Sequence, residues 1–97
     1  MITAYILEDC YYSQMANELL KESKIKYKKI NVPQDDKIKN ELKKLNKMQT
    51  FPQILFQESS SSKIEKIGGY EELEKYIDIR KIVKNEKLNK NFLKFLI

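Results

Sequence analysis

A short apolar run, Ile2-Thr3-Ala4-Tyr5-Ile6-Leu7, is followed by a pattern of 3.6-residue period and then by a second short run that ends at Pro33. This order constrains the fold more than any other feature of the chain. The helical segment extends from about Ser13 to Ser23 and sets Met15, Ala16, Leu19 and Leu20 on one side. The second run, Ile25 to Val32, alternates imperfectly for a half-buried strand, and Pro33 stops it. Two strands separated by one helix of this length predict a right-handed parallel crossover.

The rhythm continues and then changes. Asp35 or Asp36 can cap a second helix, with Ile38, Leu42 and Leu45 spaced i, i+4, i+7. Gln53-Ile54-Leu55-Phe56 is a short apolar strand, Glu58 to Ser62 a solvated polar turn, and Lys63 to Ile67 alternates like another strand. Two strands so joined pair as an antiparallel hairpin. Gly68-Gly69 breaks the strand, and Tyr70, Leu73, Tyr76 and Ile77 mark a third helix. The expected fold is α/β: β-α-β-α-β-β-α on one mixed four-stranded sheet flanked by helices. A further helical pattern, Leu88, Phe92, Phe95 and Leu96, predicts an extra C-terminal helix.

Composition narrows the function classes. Ninety-seven residues form one domain that can bury a core without cross-links. One cysteine cannot form an intrachain disulfide and no signal peptide precedes the first strand, so the expected setting is reducing and cytoplasmic. No apolar run approaches the roughly 18 residues of a membrane span. With no histidine and one cysteine, the chain cannot build a zinc site by itself. The net charge of +5 suggests nucleic acid until it is located: residues 1–79 hold thirteen lysines against thirteen acids, and the whole excess lies in 80–97. The expected division is a neutral domain over 1–79 and a basic amphipathic extension over 80–97, packed on or near the domain with its lysines in water. No aromatic-basic sheet face or recognition motif supports nucleic-acid binding. The tail is not expected to hold a membrane, and a monomer is expected.

Three local signals fall at one end of the expected sheet. Cys10 lies between strand one and the first helix, where unpaired helical N–H groups favour a thiolate. Taken alone, a single cysteine is more often a small buried apolar side chain. Thr50-Phe51-Pro52 precedes the third strand, and a proline opening a central strand needs a reason. A cis Phe51–Pro52 bond is one, since it turns the main chain of Phe51 toward the sulfur. Gly68-Gly69 permits close backbone approach at the start of the third helix, whose N–H groups suit an anion, or it is a plain turn.

Together these resemble the glutaredoxins, of the thioredoxin-like fold, over roughly Ile2 to Ile79. Cys10-Tyr11-Tyr12-Ser13 stands where the family has C-P-Y-C or C-x-x-S. Thr50-Phe51-Pro52-Gln53-Ile54-Leu55 stands for T-V-P-x-I/V-F, and Gly68-Gly69-Tyr70-Glu71-Glu72-Leu73 for G-G-x-x-D/E-L. The resemblance implies a glutathione-dependent thiol–disulfide oxidoreductase with Cys10 as nucleophile and Tyr11, Tyr12 and Ser13 beside it. It implies that Thr50, Phe51 and Pro52 belong to the glutathione site, with the Phe51 main chain bonding the cysteine part. Gly69 and Tyr70 would present N–H groups to the γ-glutamyl carboxylate, and Glu71 or Glu72 would meet its ammonium. With Ser13 in place of a resolving cysteine, only the monothiol route remains, through glutathione as co-substrate and glutathionylated or disulfide-containing protein partners. The Ser13 hydroxyl is expected to cap the helix or to donate to the thiolate.

Departures open alternatives. The family usually has Lys or Arg where this chain has Leu7, and Glu8 and Asp9 adjoin Cys10, which disfavours a thiolate and an anionic ligand. Lys44 or Lys47 could supply the missing cation. The expectation is an enzyme of lowered efficiency. A glutathione-assisted [2Fe–2S] carrier, with Cys10 the only protein ligand from each chain, is one alternative. A catalytically weak binding module of the same fold is the other.

Overall fold

The computed structural model describes the backbone of residues 1–93 and the side chains of residues 1–81. Its elements are β1 (Ile2–Leu7), α1 (Tyr11–Glu22), β2 (Tyr27–Val32), α2 (Asp36–Asn46), β3 (Gln53–Phe56), β4 (Glu65–Gly68) and α3 (Tyr70–Leu93). They form one sheet in the order β2-β1-β3-β4. β1 and β2 pair in parallel from Ile2↔Tyr27 to Leu7↔Val32, as the crossover through α1 requires. β3 runs antiparallel to β1, with Ile2 opposite Phe56 and Tyr5 opposite Gln53. β4 returns antiparallel to β3, which makes β3 a central strand and the β3–β4 connection a hairpin.

The core lies on one face. Burial alternates along β1, so Ile2, Ala4 and Ile6 point the same way and are almost wholly covered. Ile54 of β3, Ala16 and Leu20 of α1, and Leu73 and Ile77 of α3 close over them. The other face is covered more loosely. Tyr5, Ile30, Ile38, Leu42 and Leu45 line an open cleft of about 300 Å³ between the sheet and α2. α2 buries none of its residues fully, and Leu45 remains 72% exposed. Its periodicity marked a helix correctly but overstated how tightly that helix packs.

Local chemistry explains the element ends. Asp35 caps α2 by accepting a 3.0 Å hydrogen bond from the Ile38 N–H, and Lys47 ends it in the left-handed region at φ 54°. Asp35→Ala is expected to cost about 1 kcal/mol, read as a lower denaturant midpoint with unchanged slope. α1 begins at Tyr11, with Cys10 as its extended N-cap, rather than at Ser13. β2 begins at Tyr27, after the turn formed by Lys24 at φ 55°, rather than at Ile25. Gly68 does not break β4 but pairs with Ile54. A bulge separates that pair from Leu55↔Lys66, and β4 begins two residues later and ends one later than its alternation indicated.

The tail pattern is not a separate fourth helix. Neither Gly nor Pro follows Gly69, and α3 runs unbroken across positions 79 and 80 to Leu93. The stripe of Leu88, Phe92, Phe95 and Leu96, and with it the packing expected of 80–97, lies outside the described side chains. Among the described residues, no helix is long and apolar enough to cross a membrane.

Candidate functional site

Strand register brings the three sequence signals to one end of the sheet. The antiparallel β1–β3 pairing sets Gln53 opposite Tyr5, so the residues before Gln53 lie alongside the end of β1 that leads to Cys10. The β3–β4 pairing sets Gly68 opposite Ile54, so Gly69 and the start of α3 reach the same end. A side chain built on Gly69 would meet the Pro52 carbonyl oxygen at 3.8 Å and Glu72 Oε2 at 3.9 Å. Tyr12 and Tyr70 close the remaining gap between α1 and α3, with ring centroids 6.2 Å apart.

Cys10 is half-buried and unbridged. Its N–H donates to the Leu7 carbonyl (3.3 Å) and its carbonyl accepts from the Gln14 N–H (3.0 Å), while Asp9 turns the chain at φ 56°. This tight corner places the side chain at the first turn of α1. The N–H groups of Tyr11, Tyr12 and Ser13 have no carbonyl one turn back to reach, and an anion held there is favoured by the helix dipole. Tyr11 and Tyr12 are both exposed, their rings packed edge to face at 5.5 Å.

Ser13 is not the cap of α1. It is fully buried in the first turn, and its Oγ accepts a 3.1 Å hydrogen bond from the Leu7 N–H. The cap position belongs to Cys10, which makes no side-chain capping bond. The serine therefore fastens the end of β1 to α1 and sets the corner that holds Cys10. Ser13→Ala leaves a part-buried N–H without a partner. It should cost about 1–2 kcal/mol in chemical denaturation.

The Phe51–Pro52 bond is cis, and both residues are buried, with Thr50 exposed beside them. Gly69 caps α3, its carbonyl accepting from the Leu73 N–H at 3.0 Å. Gly68 lies at φ 131° with Glu72 directly over it. Glu72 lines an open groove of about 360 Å³ together with Thr50 and Gly69; Glu71, although exposed on the same turn, is not among its lining residues. The Tyr70 hydroxyl donates to Glu74 Oε2 (3.3 Å). Loss of water around the phenol, and then the Glu74 carboxylate, raise its pKa above the ordinary tyrosine value, so the ring stays neutral at pH 7.

Two residues escaped the sequence reading. Gln53 is fully buried: its Oε1 accepts from Asn46 Nδ2 (2.7 Å) and its Nε2 donates to the Met48 carbonyl (3.5 Å). It thereby ties the segment before Thr50 to the head of β3, and a polar residue opening an apolar strand was the available signal. Lys66 donates from Nζ to the Lys47 carbonyl (2.9 Å), and both lysines line the groove. Of the two cations suggested by sequence, Lys47 borders the groove and Lys44 does not. On another side of Cys10, Glu8, Asp9, Gln14 and Asn31 line a cleft of about 400 Å³. Among the described residues, no group of three or more Cys, Asp and Glu gathers as a metal ion would require.

A family model described as Glutaredoxin matches residues 2–59, more than half of the chain. Among solved structures, a buckwheat glutaredoxin–glutathione complex is 22% identical, with a TM-score of 0.59, over 79% of this chain and 68% of that one. Glutaredoxin 1 from Francisella tularensis, complexed with cacodylate, is 26% identical, with a TM-score of 0.57, over 86% of this chain and 95% of that one. No curated protein sequence matches the chain. The mixed four-stranded sheet and its three helices have the thioredoxin-like arrangement of these neighbours.

Proposed function

The chain belongs to the glutaredoxin family, and from that premise we propose that it is a glutathione-dependent thiol–disulfide oxidoreductase acting through Cys10 alone. The observation that carries the reading is the meeting of three elements at one sheet end. A half-buried lone cysteine at a helix start lies at the same end as the main chain of Phe51–Pro52 and the glycine-capped start of α3. That a buckwheat relative was crystallised with glutathione supports the ligand.

In the proposed reaction the Cys10 thiolate attacks the glutathione sulfur of a mixed disulfide. The bond to the partner protein's sulfur breaks, that thiolate leaves and takes up a proton, and Cys10 carries the glutathione. A second glutathione thiolate then attacks this adduct, so that glutathione disulfide departs and Cys10 is a thiolate again. The net exchange consumes one free glutathione: the partner's sulfur leaves as a thiol, and the disulfide bond passes to glutathione disulfide. Ser13 cannot resolve the adduct, because an alcohol does not exchange with a disulfide and its hydroxyl already serves the Leu7 N–H.

The ligand's cysteine portion pairs with the main chain of Phe51, next to Thr50 and Pro52. Its γ-glutamyl carboxylate accepts from the N–H groups of Gly69 and Tyr70 at the start of α3. Glu72, already over Gly68 and Gly69, is the better placed acid for the ammonium; Glu71 stands back from the groove. Tyr11 and Tyr12 flank the sulfur. Their bulk supports the redox reading over a cluster shared between two chains, which needs a second thiolate to come close. The reaction draws on a glutathione pool, in keeping with the reducing, cytoplasmic setting expected from the sequence.

The test is turnover of a glutathionylated peptide by the parent protein, coupled to reduction of glutathione disulfide. Release of the peptide thiol that saturates with both substrates is expected. A folded protein giving only the uncatalysed rate would replace this reading with that of a non-catalytic binding module.

A further inference from the structure

Two openings lie beside Cys10, and the proposed glutathione site uses one of them, the groove at Thr50 and Gly69. The other is a cleft of about 400 Å³ between the β1–α1 corner and the end of β2, lined among others by Ile6, Glu8, Asp9, Asn31 and Val32. Ile6 and Val32 are buried, while both acids are exposed. The cleft therefore has an apolar floor and a carboxylate rim. Its corner is held through the main chain. The Glu8 N–H donates to the Val32 carbonyl at 2.8 Å, the Glu8 carbonyl accepts from Gln34 Nε2, and Asp9 turns at φ 56°. Lys39 reaches the same Gln34 from α2 (3.0 Å) but pairs with Asp36. Ion pairs among the described residues join Lys21 to Glu18 and Lys39 to Asp36, and neither Glu8 nor Asp9 takes part in one.

Successive carboxylates on one rim repel each other, and a cation between them relieves that repulsion. A lysine or arginine side chain fits both parts of the cleft, because its stem lies on apolar surface while its charged head stays at the wet rim. The reaction brings protein to this wall. A mixed disulfide has two halves, and the glutathione half occupies the groove at Thr50 and Gly69. The protein half is joined to the same sulfur and must lie beside Cys10 where glutathione does not.

We propose that this cleft docks the protein half of the mixed disulfide and selects partners that carry lysine or arginine near the glutathionylated cysteine. The inference rests on the glutathione reading above. Glu8 and Asp9 are then specificity residues; they touch the partner but not the reacting sulfurs.

The experiment compares two glutathionylated peptides, identical except that the residues flanking the cysteine are lysines in one and glutamines in the other. The parent should reduce the lysine peptide with a kcat/KM roughly fivefold higher, as two exposed ion pairs warrant, and added salt should shrink that preference. The double variant Glu8→Gln, Asp9→Asn should bring the ratio below about twofold. Asparagine tolerates the left-handed turn at position 9, so the corner is kept. Any change in Cys10 reactivity acts on both peptides and cancels in the ratio. Glu58→Gln with Glu65→Gln removes two charges at the far end of the sheet, where Glu65 lies opposite Phe56 and Phe56 opposite Ile2, and should keep the parent's ratio. A parent without preference, a double variant that keeps it, or an equal loss in the Glu58 and Glu65 control overturns the proposal. If the parent shows no turnover, binding of both peptides to Cys10→Ser is measured by calorimetry. Tighter binding of the lysine peptide that disappears when Glu8→Gln and Asp9→Asn are added sustains the cleft while the redox reading falls. Equal binding of the two peptides removes the cleft as well.

Discussion

Cys10→Ser is expected to abolish glutathione-dependent turnover, a loss on the order of a thousandfold or more. The chain has no other sulfhydryl, so no neighbour can substitute for the missing nucleophile. The substitution is also nearly silent structurally. Cys10 is the N-cap of α1, an extended position with no side-chain capping bond, and serine is among the residues best suited to it. The variant should therefore melt at or slightly above the parent's temperature. Separating activity from stability in this way assigns the loss to the sulfur itself. Residual turnover within tenfold of the parent would mean that Cys10 is not the reacting group.

Gly68→Ala has the largest expected effect on stability. Gly68 sits at φ 131°, which an alanine reaches only with strain. Its added Cβ would lie 2.7 Å from both Cβ and Cγ of Glu72. Those atoms belong to the first turn of α3, whose Leu73 is wholly buried in the core, so they cannot simply swing aside. Backbone strain and overpacking together amount to roughly 2–4 kcal/mol. In a domain of this size that lowers the melting temperature by on the order of 10–20 °C. Gly69→Ala is the control. Its Cβ would meet its neighbours at 3.8 and 3.9 Å, ordinary contact, and the cost should stay below about 1 kcal/mol. If the two alanines destabilise equally, the strain at Gly68 is not what fixes that glycine. The diglycine thus divides its work: Gly68 lets β4 pass beneath α3, and Gly69 leaves the groove wall open.

The framework was legible because its signals are local. Apolar alternation in Ile2–Leu7, the helical period after it and the polar turn before β4 each specify an element from neighbouring residues. The strand pairing follows from connection lengths. The cis Phe51–Pro52 bond was read from a proline opening a central strand, and it stands there. What escaped depends on the turns and packing that join the elements. That Ser13 serves the Leu7 N–H rather than capping α1 becomes visible only once the turn at Asp9 is known. The meeting of Lys66 with Lys47, nineteen residues apart, depends on the β3–β4 pairing that sets Lys66 opposite Leu55. Nor does an i, i+4, i+7 stripe on α2 say how deeply a sheet receives it, and this sheet receives it shallowly. The tail was read as a new helix because its apolar stripe resumes after a polar stretch, although nothing between Tyr70 and Leu93 stops the backbone.

The central claim is that Cys10 exchanges glutathione in the native fold. Intact-mass measurement after exposure of the native protein to glutathione disulfide tests it most directly. The expected result is one glutathione per chain, mapped to Cys10 and removed by excess reduced glutathione. An unmodified native protein that takes up glutathione only once unfolded would contradict it.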